Sequence, residues 1–191
     1  MKQEIKDNDP RVLMLRAKNG DNNAFGLVYE LYFTPVFRYV YLRINNKKEA
    51  EDLTQSVFLK VFQSLRRFEE MKSSPLAYFF TVARNAVFDH CKKKKEVVFA
   101  DVEAMENRPA NQDTNPARIA DENEKNLIVS GLIKNNLTDE QKEVVALKFT
   151  SELSNKEISA IIGKNESAIR QIQCRALKKL RECLNSTNIA L

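Results

Sequence analysis

Apolar positions recur every three or four residues along most of the chain, and strand-like alternation is hard to find, so the pattern predicts an all-α protein. A first helix fits Arg11 to Lys18, stopped by Asn19-Gly20. A second runs from about Asn23 to Leu31. Pro35 suits the first turn of a third, which carries Phe37, Val40 and Tyr41. A fourth spans about Lys47 to Leu65 and a fifth about Leu76 to Lys93, after the break at Ser73-Ser74-Pro75. Together they predict a helical domain over residues 1–95.

The pattern then lapses. Residues 96–120 contain Pro109, Pro116 and the polar run Asn111-Gln112-Asp113-Thr114-Asn115, with no sustained apolar period, and read as a flexible linker. Helical patterning restarts near Asp121, where Leu127, Ile128, Leu132 and Ile133 form the expected buried face. Two capping boxes follow, Thr138-Asp-Glu-Gln141 and Ser154-Asn-Lys-Glu157. They start helices of about 139–149 and 155–162, with Gly163 placed to end the second, and a third helix runs from about Glu166 to Leu184. The fold class is therefore two small helical domains joined by a flexible linker, the second spanning 121–191 and containing a helix-turn-helix.

That last helix divides cleanly when projected at ~100° per residue. Arg170, Arg181, Cys174, Lys178, Gln171 and Arg175 share one arc, while Ile172, Ala176, Ile169, Leu180, Leu184 and Leu177 share the opposite one. Gln173 is the one polar residue on the apolar side. A basic, amide-bearing face suits the DNA major groove, where Arg reads guanine and Gln reads adenine. Charge supports an anionic partner. The net charge is +5, yet Lys164 to Arg181 alone holds six basic residues and one acidic.

Composition removes other classes. A single histidine, His90, disfavours a zinc finger or a His-based dyad. Gly163-Lys164 lacks the first glycine and the Ser or Thr of a phosphate loop. Cys91, Cys174 and Cys183 are odd in number and spread out, which is no disulfide framework and points to a reducing compartment. No apolar run approaches the ~18 residues of a membrane span, and Met1 to Pro10 has no signal-peptide character. The expectation is a cytoplasmic protein without cofactor or metal and without direct membrane insertion.

On Leu137-Thr138, Gln141, Val145, Leu147, Leu153-Ser154, Glu157-Ile158, Ile162-Gly163, Ala168-Ile169-Arg170, Arg175-Ala176 and Leu180-Arg181, the chain resembles region four of bacterial RNA polymerase sigma factors. The nearest subgroup is the two-domain extracytoplasmic-function (ECF) factors. Ser159 stands where Ala is usual, and Ser167-Ala168 where Gly-Thr is common. The resemblance implies that Lys164, Ser167, Arg170, Gln171, Cys174, Arg175 and Lys178 face the −35 promoter element.

Residues Glu51 to Phe62 are similar to sigma region two, whose Asp and Gln helix binds the polymerase clamp. Periodicity places Asp52, Gln55, Phe58 and Phe62 on one side of that helix, beside a core stripe of Leu53, Val57 and Val61. With Ser56, which stands where Glu is usual, these are the expected polymerase contacts. Arg67-Phe68 and the stretch from Pro75 to Asp89 resemble the −10 reading segment, with Tyr78 where Trp is commonest. This implies −10 contacts from Arg67, Phe68, Tyr78, Arg84, Asn85, Lys92 and Lys93. Without the resemblance, Tyr78, Phe79, Phe80 and Phe88 read as core, and Lys92 to Lys95 equally as the solvated beginning of the linker or as cations complementing the negative end of the fifth helix.

The chain is thereby identified as a member of the ECF sigma factors, a non-enzyme that directs core RNA polymerase to promoters. The implied partners are the clamp helices and flap of core polymerase and promoter DNA. Many members are held by an anti-sigma factor, and such a partner stays open here. The alternative is a helix-turn-helix regulator that acts without core polymerase. A recombinase would need a catalytic α/β pattern that the sequence does not show.

Overall fold

The computed structural model describes residues 9–68, 74–102, 131–151 and 153–186. Among these residues there are helices and turns but no strand. Helix α1 is Pro10–Lys18, started by the Asp9 carboxylate, which accepts from the Arg11 N–H at 2.8 Å. The next cap is Asp21, whose carboxylate accepts from the Ala24 N–H at 3.1 Å and begins α2, Asn22–Ile44. Two helices were expected here, and one is found, with Pro35 inside it. Proline cannot donate to the carbonyl four residues back, an interruption that costs about 3 kcal/mol in an isolated helix. Burial of Tyr32, Val36, Tyr39 and Val40 around it offsets that loss, at roughly 1.5–3 kcal/mol per large apolar side chain.

Helix α2 ends at Asn45, in the left-handed region with φ 57°. The Asn46 side chain then caps α3, Lys47–Ser64, by accepting from the Glu49 N–H at 3.0 Å. A single 3₁₀ turn, Leu65–Arg67, closes α3. Helix α4 is Pro75–Val102, with Pro75 in its first turn and the Ser74 hydroxyl accepting from the Ala77 N–H at 3.2 Å. It therefore continues past Lys92 to Lys95, so these lysines do not sit at its end, and it enters the stretch expected to be linker. The expected segment 103–120, and the Leu127 and Ile128 part of the following helix, lie outside the described residues.

The second half begins with the helical residues 131–136. Helix α5, Asp139–Ser151, starts in the expected capping box: the Thr138 N–H donates to Gln141 Oε1 at 3.1 Å, and the Gln141 N–H donates to Thr138 Oγ1 at 3.3 Å. Helix α6, Asn155–Ile162, carries the other box and ends at Gly163, φ 77°. Helix α7 is Glu166–Ser186, capped by the Asn165 side chain, which accepts from the Ala168 N–H at 2.8 Å.

The halves pack directly on each other. Helix α2 contacts α1, α3, α4 and also α5, and α4 contacts α6. One apolar cluster joins Leu13, Val36, Val57 and Phe79 to Val144, Leu147, Leu153, Ile158 and Ile169. A smaller cluster of Ile133, Leu137, Val145 and Ala176 seats α7.

Candidate functional site

Three surfaces carry the residues singled out by sequence. The first lies between α2 and α3. Asp52 and Gln55 are exposed, Ser56 is half-buried, and Phe62 keeps 41% of its exposure. Phe62 packs edge-on against Phe25 with centroids 4.9 Å apart. Phe58 departs from expectation: it is 3% exposed, wedged against Tyr29 and Phe79. Its position one turn after Gln55 and one before Phe62 is right for the face, but the α2 aromatics cover it. It is the floor of a shallow apolar groove of about 470 Å³ whose walls include Phe25, Tyr29, Leu59 and Phe62. Sequence reasoning missed Phe25 and Tyr29. Their spacing of four on α2 was the available signal.

The second surface follows α4. Arg67 is exposed on the 3₁₀ turn, and Asn85, Lys92 and Lys93 are exposed on the helix. Phe68 is not at the surface. Its ring is fully buried against Tyr78 at 5.4 Å, and its carbonyl accepts from Lys18 Nζ at 2.8 Å, so this side chain supports the segment rather than contacting a ligand. Tyr78 is half-buried, with its hydroxyl 2.8 Å from Ser64 Oγ. Phe79 and Phe80 are core, as periodicity indicates, but Phe88 is 68% exposed. An aromatic ring in water beside Arg84, Asn85 and Lys92 is a feature that reading it as core missed. Arg84 does not stand open: its Nε lies 2.6 Å from Glu143 Oε1 on α5. The single histidine is structural. His90 Nε2 and Lys94 Nζ lie 2.9 and 3.1 Å from the Glu49 carboxylate and tie α4 to the start of α3. Burial pushes the Glu49 carboxyl up, but the hydrogen bonds of Lys94 and His90 outweigh it and hold it below its ordinary value.

The third surface is the outer face of α7. Ile169, Ile172 and Ala176 are buried, while Ser167, Arg170, Gln171, Cys174, Arg175 and Lys178 are exposed. Arg170 and Lys178 make only loose contacts within the helix, with Glu166 at 3.7 Å and Glu182 at 3.9 Å. Their side chains are 61% and 77% exposed, which leaves both heads available to a phosphate or base edge. Lys164, in the turn, pairs with Glu140 at 2.8 Å. Leu177, expected on the buried face, is 47% exposed. Gln173 is accommodated on the packed side because its Nε2 donates to Asn155 Oδ1 at 3.0 Å, binding α7 to α6.

Glu157 joins the surfaces. Its carboxylate closes the α6 capping box with the Ser154 N–H at 2.9 Å and accepts from the Ser74 hydroxyl at 2.6 Å. Burial pushes this carboxyl up, yet the hydrogen bonds of Ser74 and Ser154 hold it below its ordinary value. Among the described residues no group of His, Cys, Asp and Glu could hold a metal ion, and no helix is long and apolar enough to cross a membrane.

A capped helix-turn-helix with a basic outer face is packed on a helical domain that carries an apolar groove. The chain matches the family Sigma-70 region 2 over residues 28–97 and Sigma-70, region 4 over residues 135–182. It is 34% identical over 173 residues to the ECF RNA polymerase sigma factor BldN of Streptomyces coelicolor, covering 90% of this chain and 64% of that relative's length. It is 29% identical over 159 residues to the ECF RNA polymerase sigma factor SigM of Bacillus subtilis, covering 83% and 93%. The fold is similar to that of CnrH, solved in complex with the cytosolic domain of CnrY, with TM-score 0.71, 19% identity and coverage of 93% and 99%. The chain belongs to the ECF RNA polymerase sigma factors.

Proposed function

We propose that this chain directs core RNA polymerase to specific promoters for transcription initiation. The observation that carries the reading is the presence in one chain of two differently built surfaces, the exposed face of α7 and the apolar α2–α3 groove bordered by Gln55, with Asp52 exposed one turn earlier on α3. Helix α7 meets the −35 duplex, with Ser167, Arg170 and Gln171 at base edges and Lys164, Cys174, Arg175 and Lys178 along the flanking backbone. Helix α4 and the turn before it take the −10 strand through Arg67, Tyr78, Arg84, Asn85, Lys92 and Lys93, the ring stacking and the cations following phosphates. Asp52, Gln55, Ser56 and Phe62 dock the polymerase clamp, with Phe58 beneath them. Residues 1–95 and 121–191 are the two promoter-reading domains, and 96–120 join them.

Catalysis belongs to the polymerase, so this chain works by positioning, and it works in the cytoplasm. An anti-sigma factor is a further partner in this proposal, and the exposed Phe88, Phe149 and Leu177 are apolar side chains that a protein could cover. A regulator acting without polymerase would leave the α2–α3 groove unused. The test is run-off transcription with purified core polymerase on genomic fragments. Initiation at defined sites only when the chain is added supports the proposal. Tight binding to duplex DNA by the chain alone, with no association with core polymerase, contradicts it.

A further inference from the structure

One apolar cluster draws on both halves of the chain, so the space left between them is a walled cavity. This cleft of about 640 Å³ is lined by residues of α2, α4, α5 and the end of α6. Six cations and three carboxylates face it. Each carboxylate already has a cation: Glu143 pairs with Arg84 at 2.6 Å, Glu140 with Lys164 at 2.8 Å and Asp139 with Lys142 at 3.7 Å. The lining therefore keeps a positive excess. Two donors of α2 in this cleft are unusual. The Tyr39 hydroxyl and Arg43 Nε are both buried, and neither has a hydrogen-bond partner among the described residues. Tyr39 is 0% exposed, its ring set edge-on to Phe80 with centroids 5.4 Å apart. Burial pushes this phenol well above its ordinary pKa, so it stays protonated and donates. The charges that also act on it, Glu143, Arg43 and Arg84, all line the cleft. Arg43 is held in place by donating to the Asp139 carbonyl at 2.8 Å.

A buried donor without an acceptor is costly, and two in one cavity call for an acceptor that enters it. Tyr39 and Arg43 stand four residues apart, on one side of α2, so one group with two acceptor oxygens can serve both. The positive excess requires that group to be an anion. A phosphoryl group meets both demands. The cleft is larger than that head alone, and its volume lies within the ~300–1,000 Å³ of sites for small organic ligands. Its lining also includes Leu42, Val87 and Ile162, together with the Phe88 ring, which is 68% exposed. An exposed ring beside an anion site offers a flat body somewhere to stack. We propose that this cleft binds a small phosphorylated compound with a planar body, of the nucleotide class, whose phosphoryl oxygens accept from the Tyr39 hydroxyl and Arg43 Nε and whose ring lies on Phe88. The site is separate from the outer face of α7 and from the α2–α3 groove, and the proposal does not rest on the promoter reading. The ligand touches both halves, so it stabilises the folded chain in proportion to its concentration over its dissociation constant.

The experiment is titration calorimetry and thermal unfolding of the full chain with adenosine monophosphate as the probe. Adenosine, inorganic phosphate and sodium chloride at matched ionic strength are the comparisons. The nucleotide should bind one-to-one and raise the unfolding midpoint, whereas adenosine and sodium chloride should do neither. Inorganic phosphate should bind about tenfold more weakly than the nucleotide, for want of the stacked ring. Tyr39→Phe removes only the hydroxyl, and Arg43→Lys keeps the charge but removes Nε. Each should weaken nucleotide binding about tenfold, the scale of one charge-assisted hydrogen bond. Phe88→Ser should weaken the nucleotide about tenfold and leave phosphate binding unchanged. Without ligand, Tyr39→Phe should unfold at the wild-type midpoint or above it, because it deletes an unpaired donor, and this also shows that the variant folds. Equal heats for the nucleotide and for sodium chloride, or full affinity in both donor variants, would overturn the proposal. So would a lowered midpoint in unliganded Tyr39→Phe with no nucleotide binding by the wild type, which would assign the two donors to an ordered water. A single-stranded oligonucleotide that displaces the probe and loses affinity with Tyr39→Phe would give the donors to DNA and overturn it as well.

Discussion

Within the α2–α3 face, neighbouring side chains do unlike things. Asp52 and Gln55 are exposed, whereas Phe58 on the same helix is 3% exposed. Asp52→Ala with Gln55→Ala should therefore leave circular dichroism native and weaken association with core polymerase. Phe58→Ala should instead destabilise the fold by about 3–5 kcal/mol, because it empties a packed site among Tyr29, Phe33 and Phe79. Urea unfolding of both variants separates the two cases; equal stability would show that Phe58 is a surface residue after all. Along α7 the division is between reading and holding. Arg170→Ala or Gln171→Ala should change which −35 sequences are preferred, costing about 1–3 kcal/mol at one base pair. Lys178→Ala should weaken all sequences alike and flatten the salt dependence. Selection from a −35 library by each holoenzyme distinguishes these phenotypes, and a shifted motif with Lys178→Ala would mean that α7 lies the other way along the groove.

Helix starts were legible wherever a side chain itself makes the cap. Ser154, Glu157 and Gly163 define α6 to the residue, because the box and the left-handed stop are local chemistry. Gly163→Ala should cost about 1–2 kcal/mol, since φ 77° crowds any Cβ against the backbone. Thermal unfolding checks this, and an unchanged midpoint would mean the turn relaxes freely. Other boundaries were not legible. Pro35 signals a helix start when only its neighbours are considered, but the apolar surfaces of α1, α3, α4 and α5 around α2 keep the helix continuous through it. Phe88 reads as core by hydropathy and Phe68 as a ligand contact by resemblance. Which ring is buried depends on partners distant in sequence, such as Lys18 holding the Phe68 carbonyl.

Across the whole molecule, each half shows its own helical period in the sequence, while the contact joining them was invisible. Besides the shared apolar cluster, it includes single polar pairs, Arg84 with Glu143 and Ser74 with Glu157, that no spacing rule connects. The Glu157 pair gives this contact a pH dependence. A carboxyl held below its ordinary value near 4.5 in the folded chain contributes stability above that value and loses it as pH falls through the lowered one. The contact between α4 and α6 should therefore be intact near neutrality and loosen in acid below about 4.5, with Glu157→Gln flattening the profile. Denaturant titrations across pH read this directly; a stability that rises on acidification through that range would reverse the assigned sign.

The most direct measurement is initiation itself. Core polymerase, the purified chain and a promoter library randomised at the −35 and −10 positions are combined, and the transcripts are sequenced. Initiation that requires the chain, starts downstream of a paired −35 and −10 motif, and changes its −35 motif with Arg170→Ala is the predicted result. Transcription that is indifferent to the chain, or that follows the same motif with every α7 variant, would contradict it.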